Sequence, residues 1–243
     1  GVARVIVEPN ANPGMANKAV GPFAQRVFLA FESAADSFTG SKVRVVGTPI
    51  RKAFLEGIEQ SQGKAGSPHL LIFGGSQGAK AMNTAVIEGL PELMTQLPHL
   101  TVTHQTGESD HSRVAGAYRR TGVKSEVIPF IYDMPAALRQ ADLVVARAGA
   151  MTVAELTACG KPAILIPLPS AIYDHQTKNA RGMESAGAAV LLSQSVLTGT
   201  LLARTVAGIL GDPERLRAMG EASLSLRRID AAEIIVRECY ALM

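Results

Sequence analysis

Tryptophan is absent from the 243 residues, and aromatic residues of all kinds make up only 5%. Flat platforms for stacking unpaired bases are therefore scarce, which argues against a binder of single-stranded nucleic acid. Cysteine occurs twice, at Cys159 and Cys239, far apart and in no CxxC pair. That argues against a disulfide framework or a thiolate zinc site and makes a reducing cytoplasm the default compartment. No HExxH pair occurs among the five histidines, His69, His99, His104, His111 and His175, and no GxSxG occurs anywhere. Apolar runs stop short of membrane-spanning length, and the N-terminus lacks a charged-then-apolar signal pattern. Strong charge of either sign is also missing. The net charge of +3 is too small to argue for nucleic acid, although it suits an anionic ligand if the charge is local. What is present is ordinary globular composition, 47% hydrophobic and 19% charged, enough to bury the core of one large domain or of one domain plus part of another. The chain opens on Gly1 and almost directly enters a strand-like run, Ala3–Val7. This reads as a chain entered partway, a fragment of something longer.

From Ser67 onward short apolar or β-branched runs alternate with longer helical patterns. The runs are His69–Phe73, Leu100–His104, Glu126–Pro129, Leu143–Ala146, Ala163–Pro167 and Ala189–Leu192. Between them lie Ala79–Leu97, Ser109–Thr121, Met134–Gln140, Thr152–Cys159 and Gln176–Ala186. Strands that alternate with helices, and are apolar throughout, predict an α/β fold: a parallel sheet covered on both faces and doubly wound. The first residues read differently. Ala3–Val7, Asn12–Phe23, Arg26–Ala30 and Lys42–Val46 give strand, helix, strand, strand, too little for an independent domain and in keeping with the end of a preceding one. Gln60–Pro68 is polar and rich in Gly, Ser and Pro, which marks a linker. From Thr198 the chain is helical: Thr198–Leu210, Pro213–Ser225 with Pro at a helix start, and Ala231–Leu242. The expected organisation is residues 1–60 as a remnant plus linker, 61–226 as a complete Rossmann-like domain, and 227–243 as a helix returning toward the first unit.

Ligands of open parallel sheets bind outside the carboxyl ends of the strands. Five loops leave such ends. Gly74-Gly75-Ser76-Gln77-Gly78 precedes a helix; its glycines allow a close backbone approach, and the helix N-terminus offers free N–H groups to phosphate. A tight turn without ligand is the competing reading, and the absence of GxxxxGK[ST] argues against a P-loop. In Arg147–Thr152 and onward, Thr152 and Glu155 have capping-box spacing, so Glu155 is either a cap or an acceptor for a ribose diol. Leu168–His175 ends at a helix start where Asp174 is a natural N-cap, and His175 and Gln176 carry donors for sugar hydroxyls or an acetamide. Phe130-Ile131-Tyr132-Asp133-Met134 is apolar enough to sandwich a base or simply to pack. His104-Gln105-Thr106-Gly107 reads as structural. Glu8 and Asn10 follow a strand, where a turn is the plain alternative. Arg51 lies near the junction of the two units, where a solvated arginine is the plain alternative.

In order along the chain, EPNANPGMAN (Glu8–Asn17), VGTPIR (Val46–Arg51), GGSQG, HQTG, FIYDM, RAGAMTVAE and DHQTKNA closely resemble the motifs of the MurG family, bacterial transferases of N-acetylglucosamine in cell-wall synthesis. The resemblance covers essentially the whole chain. It implies the GT-B arrangement, two Rossmann-like domains facing across a cleft, with the second binding UDP-N-acetylglucosamine. Ser76 and Arg51 would meet the diphosphate; Phe130, Ile131 and Met134 would line the uracil pocket. Glu155 would hold the ribose, Ala150, Met151 and Thr152 would surround the diphosphate and ribose, and His175 and Gln176 would select the sugar. Asn10 would lie in the cleft beside the donor, and Glu8 is a candidate for acid–base participation. The implied reaction is inverting, with the C4 hydroxyl of a lipid-linked muramoyl pentapeptide attacking C1 of the donor sugar. No cofactor and no metal is called for: without an acidic metal-binding motif, leaving-group charge falls to a helix N-terminus and an arginine. The resemblance further implies a peripheral position on the cytoplasmic face of the bacterial plasma membrane, through the first domain.

This sequence departs from the family in having Val7 and Pro9 where His and Gln usually flank the glutamate, Thr48 for Asn, and His175 for a frequent Gln. The family's GGTGGH-type loop, which carries its main general-base candidate, lies outside the chain. Competing readings are another GT-B enzyme, such as a UDP-N-acetylglucosamine 2-epimerase or a lipid galactosyltransferase, and a UDP-sugar-binding module without catalysis.

Overall fold

The computed structural model describes residues 2–56, 67–169 and 174–243. Most of the linker-like stretch Gln60–Pro68, and the part of Leu168–His175 that includes Tyr173, lie outside them. Two parallel sheets carry the described chain. The first has three strands, β1 (Val5–Glu8), β2 (Arg26–Leu29) and β3 (Val43–Val45), in that order, with α1 (Met15–Val20) between β1 and β2. The second has six: β4 (His69–Phe73), β5 (Thr101–Gln105), β6 (Lys124–Ile128), β7 (Leu143–Ala146), β8 (Ala163–Leu165) and β9 (Ala189–Leu191). Their order across the sheet is β6-β5-β4-β7-β8-β9, all neighbours parallel. Starting from its first strand, that is the 3-2-1-4-5-6 order of a dinucleotide fold, which reverses direction between β4 and β7.

The apolar runs form strands because both of their faces are covered. Leu70 and Ile72 of β4 enter one core layer with Val102, Leu143 and Val145. Leu71 and Phe73 enter the other with Val144, Ala146 and Leu165. Helices α2 (Lys80–Gln96), α3 (His111–Thr121) and α7 (Gly199–Leu210) cover the first layer. The second lies under α4 (Met134–Gln140), α5 (Ala150–Ala158) and α6 (His175–Ser185). The expectation of two covered faces fails at β6, where Lys124, Ser125 and Glu126 are exposed: β6 pairs only with β5, and its charged residues suit the open side of an edge strand. Local chemistry sets the helix starts. Asp133 accepts from Ala136 N–H at 2.9 Å, Thr198 accepts from Leu201 N–H, and Asp212 caps α8 (Pro213–Ser225), whose first residue is proline. Helices α2 and α7 approach through glycine: a Cβ on Gly89 would lie 2.6 Å from the Gly199 carbonyl oxygen.

The chain passes between the units twice. Ile50 and Phe54 pack into the core of the second sheet, although they precede the linker-like stretch. At the other end α9 (Ala231–Tyr240) packs on the first sheet, where Phe28, Val46 and Ala231 are buried and Ile234, Ile235 and Cys239 are half-covered. Arg26 on β2 pairs with Glu238 at 2.9 Å. Tyr240, near the end of this helix, remains 71% exposed.

Candidate functional site

The switch point between β4 and β7 opens a crevice whose two walls are helix beginnings. After β4 the chain turns through Gly74–Gly78 into α2. Ala79 occupies the cap position of that helix, with no side-chain cap. After β7 it turns through Arg147–Gly149 into α5, where Gly149 occupies the cap position, again with no side-chain cap. Two helices thus direct their free first-turn N–H groups and the positive ends of their dipoles at one crevice, the local chemistry that receives a phosphate. Ser76 is exposed on the first wall; Ala150, Met151 and Thr152 form the first turn of the second.

The first wall is held from behind by the turn after β5. Gly78 and Gly107 both have positive φ, +72° and +76°, and their backbones touch: a Cβ on Gly78 would lie 2.1 Å from the Thr106 carbonyl oxygen. Only glycine allows this contact. Below it lies a buried polar network. Asn83 donates to Thr106 O at 3.0 Å and to Asp110 at 2.8 Å; His104 lies 3.1 Å from Asn83 Oδ1 and 3.1 Å from the Tyr118 hydroxyl. Burial pushes the His104 imidazole down to about 3, so it stays neutral, while the bidentate Arg113 guanidinium holds Asp110 below the usual carboxylate range.

Glu155 is half-buried on α5. The capping box suggested by the spacing of Thr152 and Glu155 does not form, because the helix begins at Ala150 and both residues lie inside it. Burial raises the Glu155 carboxyl above its ordinary value, and Arg51 opposes that shift. No described residue donates a hydrogen bond to the Glu155 carboxylate. Arg51 itself stacks over Phe54 with its guanidinium carbon 5.0 Å from the ring centre. The structure therefore brings Arg51 and Glu155 to one place from positions about a hundred residues apart in sequence.

Of the apolar loop, Ile131 and Met134 pack on the second core layer. Phe130 instead faces outward, edge-on to exposed Tyr132 with ring centres 5.1 Å apart. Gln176 accepts from Leu168 N–H at 2.9 Å, which closes the ends of the loop after β8. Asp174 stands at the N-cap of α6 in a left-handed conformation (φ 43°), but its side chain makes no cap. His175 opens the same helix. Arg147 is a structural clamp: buried, it donates to the carbonyls of Ile166 and Pro167 at 3.0 Å each and to Gln194 at 2.6 Å.

Glu8 does not have the geometry of an acid–base group. It is 1% exposed, and both carboxylate oxygens are occupied. One accepts from the backbone and side-chain amides of Asn10, the other from Gly14 N–H and Asn17 Nδ2, all within 2.8–3.2 Å. A carboxylate with four donors organises the loop that follows it and leaves no lone pair directed at a substrate. That loop reaches the second unit through Asn179, which is fully buried. Its side chain accepts from Ala11 N–H at 2.9 Å and donates to Ala148 O at 3.2 Å and Asn10 Oδ1 at 3.4 Å. Asn10 is thereby held against the second wall of the crevice. Among the described residues no group of three or more His, Cys, Asp or Glu side chains is arranged to hold a metal ion. No helix among them is long and apolar enough to cross a membrane.

Residues 69–235 match the family described as Glycosyltransferase family 28 C-terminal domain. The chain is 43% identical over 240 residues to a protein of Geobacter metallireducens, covering 98% of this chain and 66% of that one. It is 46% identical over 242 residues to a protein of an Anaeromyxobacter species, covering 100% of this chain and 64% of the relative. Both are named UDP-N-acetylglucosamine–N-acetylmuramyl-(pentapeptide) pyrophosphoryl-undecaprenol N-acetylglucosamine transferase. The chain thus spans just under two thirds of the length of these relatives. The crystal structure of Acinetobacter baumannii MurG superimposes with a TM-score of 0.83 at 31% identity, over 99% of this chain and 68% of that one. A putative UDP-N-acetylglucosamine 2-epimerase from Listeria monocytogenes shares the fold at 15% identity, with a TM-score of 0.67 over 91% of this chain and 61% of the other.

Proposed function

The chain belongs to the glycosyltransferase family 28 C-terminal domain family, and from that premise we propose that it is the donor-binding part of an inverting N-acetylglucosaminyltransferase of peptidoglycan synthesis. The donor is UDP-N-acetylglucosamine. The acceptor is the C4 hydroxyl of undecaprenyl-diphospho-N-acetylmuramoyl pentapeptide. Residues 61–226 take the donor, residues 1–60 are the end of the acceptor-binding unit and the linker, of which Ile50 and Phe54 already pack on the donor side, and residues 227–243 return to the first unit. A longer protein containing this chain works at the inner face of the plasma membrane.

The observation that carries the reading is the crevice at the β4/β7 switch point, where two helices without side-chain caps converge and a half-buried carboxylate on α5 lies within electrostatic reach of Arg51. The diphosphate lies against the N-termini of α2 and α5 with Ser76, Arg51 and Thr152. Glu155 accepts the ribose hydroxyls. The base rests by Phe130 and Ile131 over Met134, and the sugar meets His175, Gln176 and, across the cleft, Asn10. When C1 is attacked, the negative charge that develops on the departing diphosphate is met by N–H groups already in place, and such preorganised donors lower the barrier most where charge grows. Glu8 serves by shaping the Asn10 loop.

Calorimetry of this chain with UDP, ADP and GDP tests the donor assignment: UDP binds more tightly, and equal affinity for UDP and ADP would sink it. Transfer to the lipid-linked acceptor requires the acceptor hydroxyl to be positioned at C1, which supplies about 7–11 kcal/mol of barrier reduction. The chain alone therefore transfers no sugar, and adding the preceding third of a relative as a separate polypeptide restores transfer of radiolabelled N-acetylglucosamine.

A further inference from the structure

Gln105 ends β5 one strand away from the crevice and is 2% exposed. Its side chain is spent on two backbone groups from two different loops. Nε2 donates to the Gly75 carbonyl at 2.9 Å, and Oε1 accepts from Ile131 N–H at 2.9 Å. The Gly75 carbonyl also accepts from Gly78 N–H at 2.9 Å, so both of its lone pairs are engaged and its direction is fixed.

The peptide that bears the Gly75 carbonyl also bears the Ser76 N–H. It is trans, like every described peptide bond, and in a planar trans peptide C=O and N–H point in opposite directions. β5 lies on one side of β4 and β7 on the other. A carbonyl drawn toward Gln105 therefore turns the Ser76 N–H toward β7, into the crevice. We propose that Gln105 is a positioning residue: its carboxamide aims the Ser76 amide at the ligand's diphosphate and locks that loop in register with the base-side loop at Ile131. The proposal rests on the nucleotide reading given above. Leucine or methionine fills the same volume but holds neither loop; glutamine alone among residues of this length offers a donor and an acceptor on one rigid plane.

The test combines amide-resolved NMR of the full chain with calorimetry. On adding UDP to the wild type, the Ser76 amide proton moves downfield as it gains an anionic acceptor; adding uridine leaves it nearly unmoved. In Gln105→Met the Ser76 response to UDP shrinks, and the ratio of UDP to uridine affinity falls by about tenfold, the size of one lost hydrogen bond to a charged group. A merely structural role would lower the melting temperature and leave that ratio unchanged. UDP binding by the wild type with the Ser76 amide unmoved overturns the proposal and leaves the nucleotide reading standing. A wild type that binds no UDP overturns both. Should Gln105→Met not fold, Gln105→Glu, which keeps an acceptor for the Ile131 N–H but loses the donor to the Gly75 carbonyl, gives the same readout.

Discussion

Replacing Glu155 with alanine separates two roles for one carboxylate. On α5 the cap position belongs to Gly149, and Glu155 sits inside the helix with no hydrogen-bond donor among the described residues. Its burial without a donor raises its carboxyl above the ordinary value. Removing it therefore breaks no hydrogen bond with a described residue, and alanine is the better helix former by a few tenths of a kcal/mol, which corresponds to about 1 °C in melting temperature. Binding is a different matter. Ribose hydroxyls that donate to a carboxylate form charge-assisted bonds of about 1.5–3 kcal/mol, so UDP affinity should fall about tenfold to a hundredfold. Calorimetry with UDP and with its 2′,3′-dideoxy analogue makes the attribution specific. The wild type should discriminate against the analogue, and Glu155→Ala should not, because the group that reads the hydroxyls is gone. Acid should mimic the substitution: with its carboxyl raised, Glu155 takes up a proton at a higher pH than an ordinary carboxylate, and UDP affinity should drop as pH falls through that range while uracil recognition persists. An alanine variant with unchanged UDP affinity and a lowered melting temperature would refute the ribose role.

Three further outcomes are expected. His104 is held neutral at about 3 against an ordinary 6.5; its folded value is depressed, so the unfolded chain binds the extra proton. Stability should be level above 6.5 and decline below it, by about 2 kcal/mol at pH 5 in urea titrations, and His104→Gln should flatten that decline. Gly78→Ala should cost both stability and UDP affinity, because its Cβ would meet the Thr106 carbonyl at 2.1 Å, whereas Gly75→Ala, with nothing within 4 Å, should show only the strain of its positive φ; equal melting temperatures for the two would contradict the backbone contact. Asn179→Ala leaves the Ala11 N–H without its acceptor and should lower stability by about 1–3 kcal/mol, read by thermal denaturation, with faster proteolysis in the Asn10 loop.

The parallel sheet was legible because β4, β7 and β8 are apolar on both faces, a pattern only doubly covered strands sustain. The glycine loop and the Arg147–Glu155 stretch were legible because each needs particular residues within a few positions of a strand end. What escaped the sequence depends on contacts between distant segments. Thr152 and Glu155 imitate a capping box, but the chain is already helical at Ala150, so the spacing misled. Glu8 read as a turn residue after a strand or an acid–base candidate; the structure has it as a loop organiser, and the signal was the amide-rich run that follows, since Asn10 and Asn17 supply its donors. His104–Gly107 read as structural, but the two loops Gln105 joins were not legible, because its partners, Gly75 and Ile131, meet only when three strands end side by side. Tyr132 gave no sign that it would stand exposed against Phe130.

The double passage of the chain has a mechanical consequence. One crossing lies between Val46, packed on the first sheet, and Ile50, packed on the second; the return lies between Leu226 and Ala231, packed on the second and first respectively. The two crossings touch, since a Cβ on Gly47 would lie 2.6 Å from the Cβ of Arg228. A body tied by one strand can swivel in any direction, but a body tied by two strands side by side resists torsion and retains chiefly the freedom to bend. Gly47 and Arg228 also line the edge of a cavity of about 380 Å³ bordered by Phe31 and Thr48 on one side and by Ala150, Val153 and Met183 on the other. A bend at the double crossing would change the width of that cavity, and a side chain at Gly47, whose Cβ would meet Arg228 at 2.6 Å, would obstruct it.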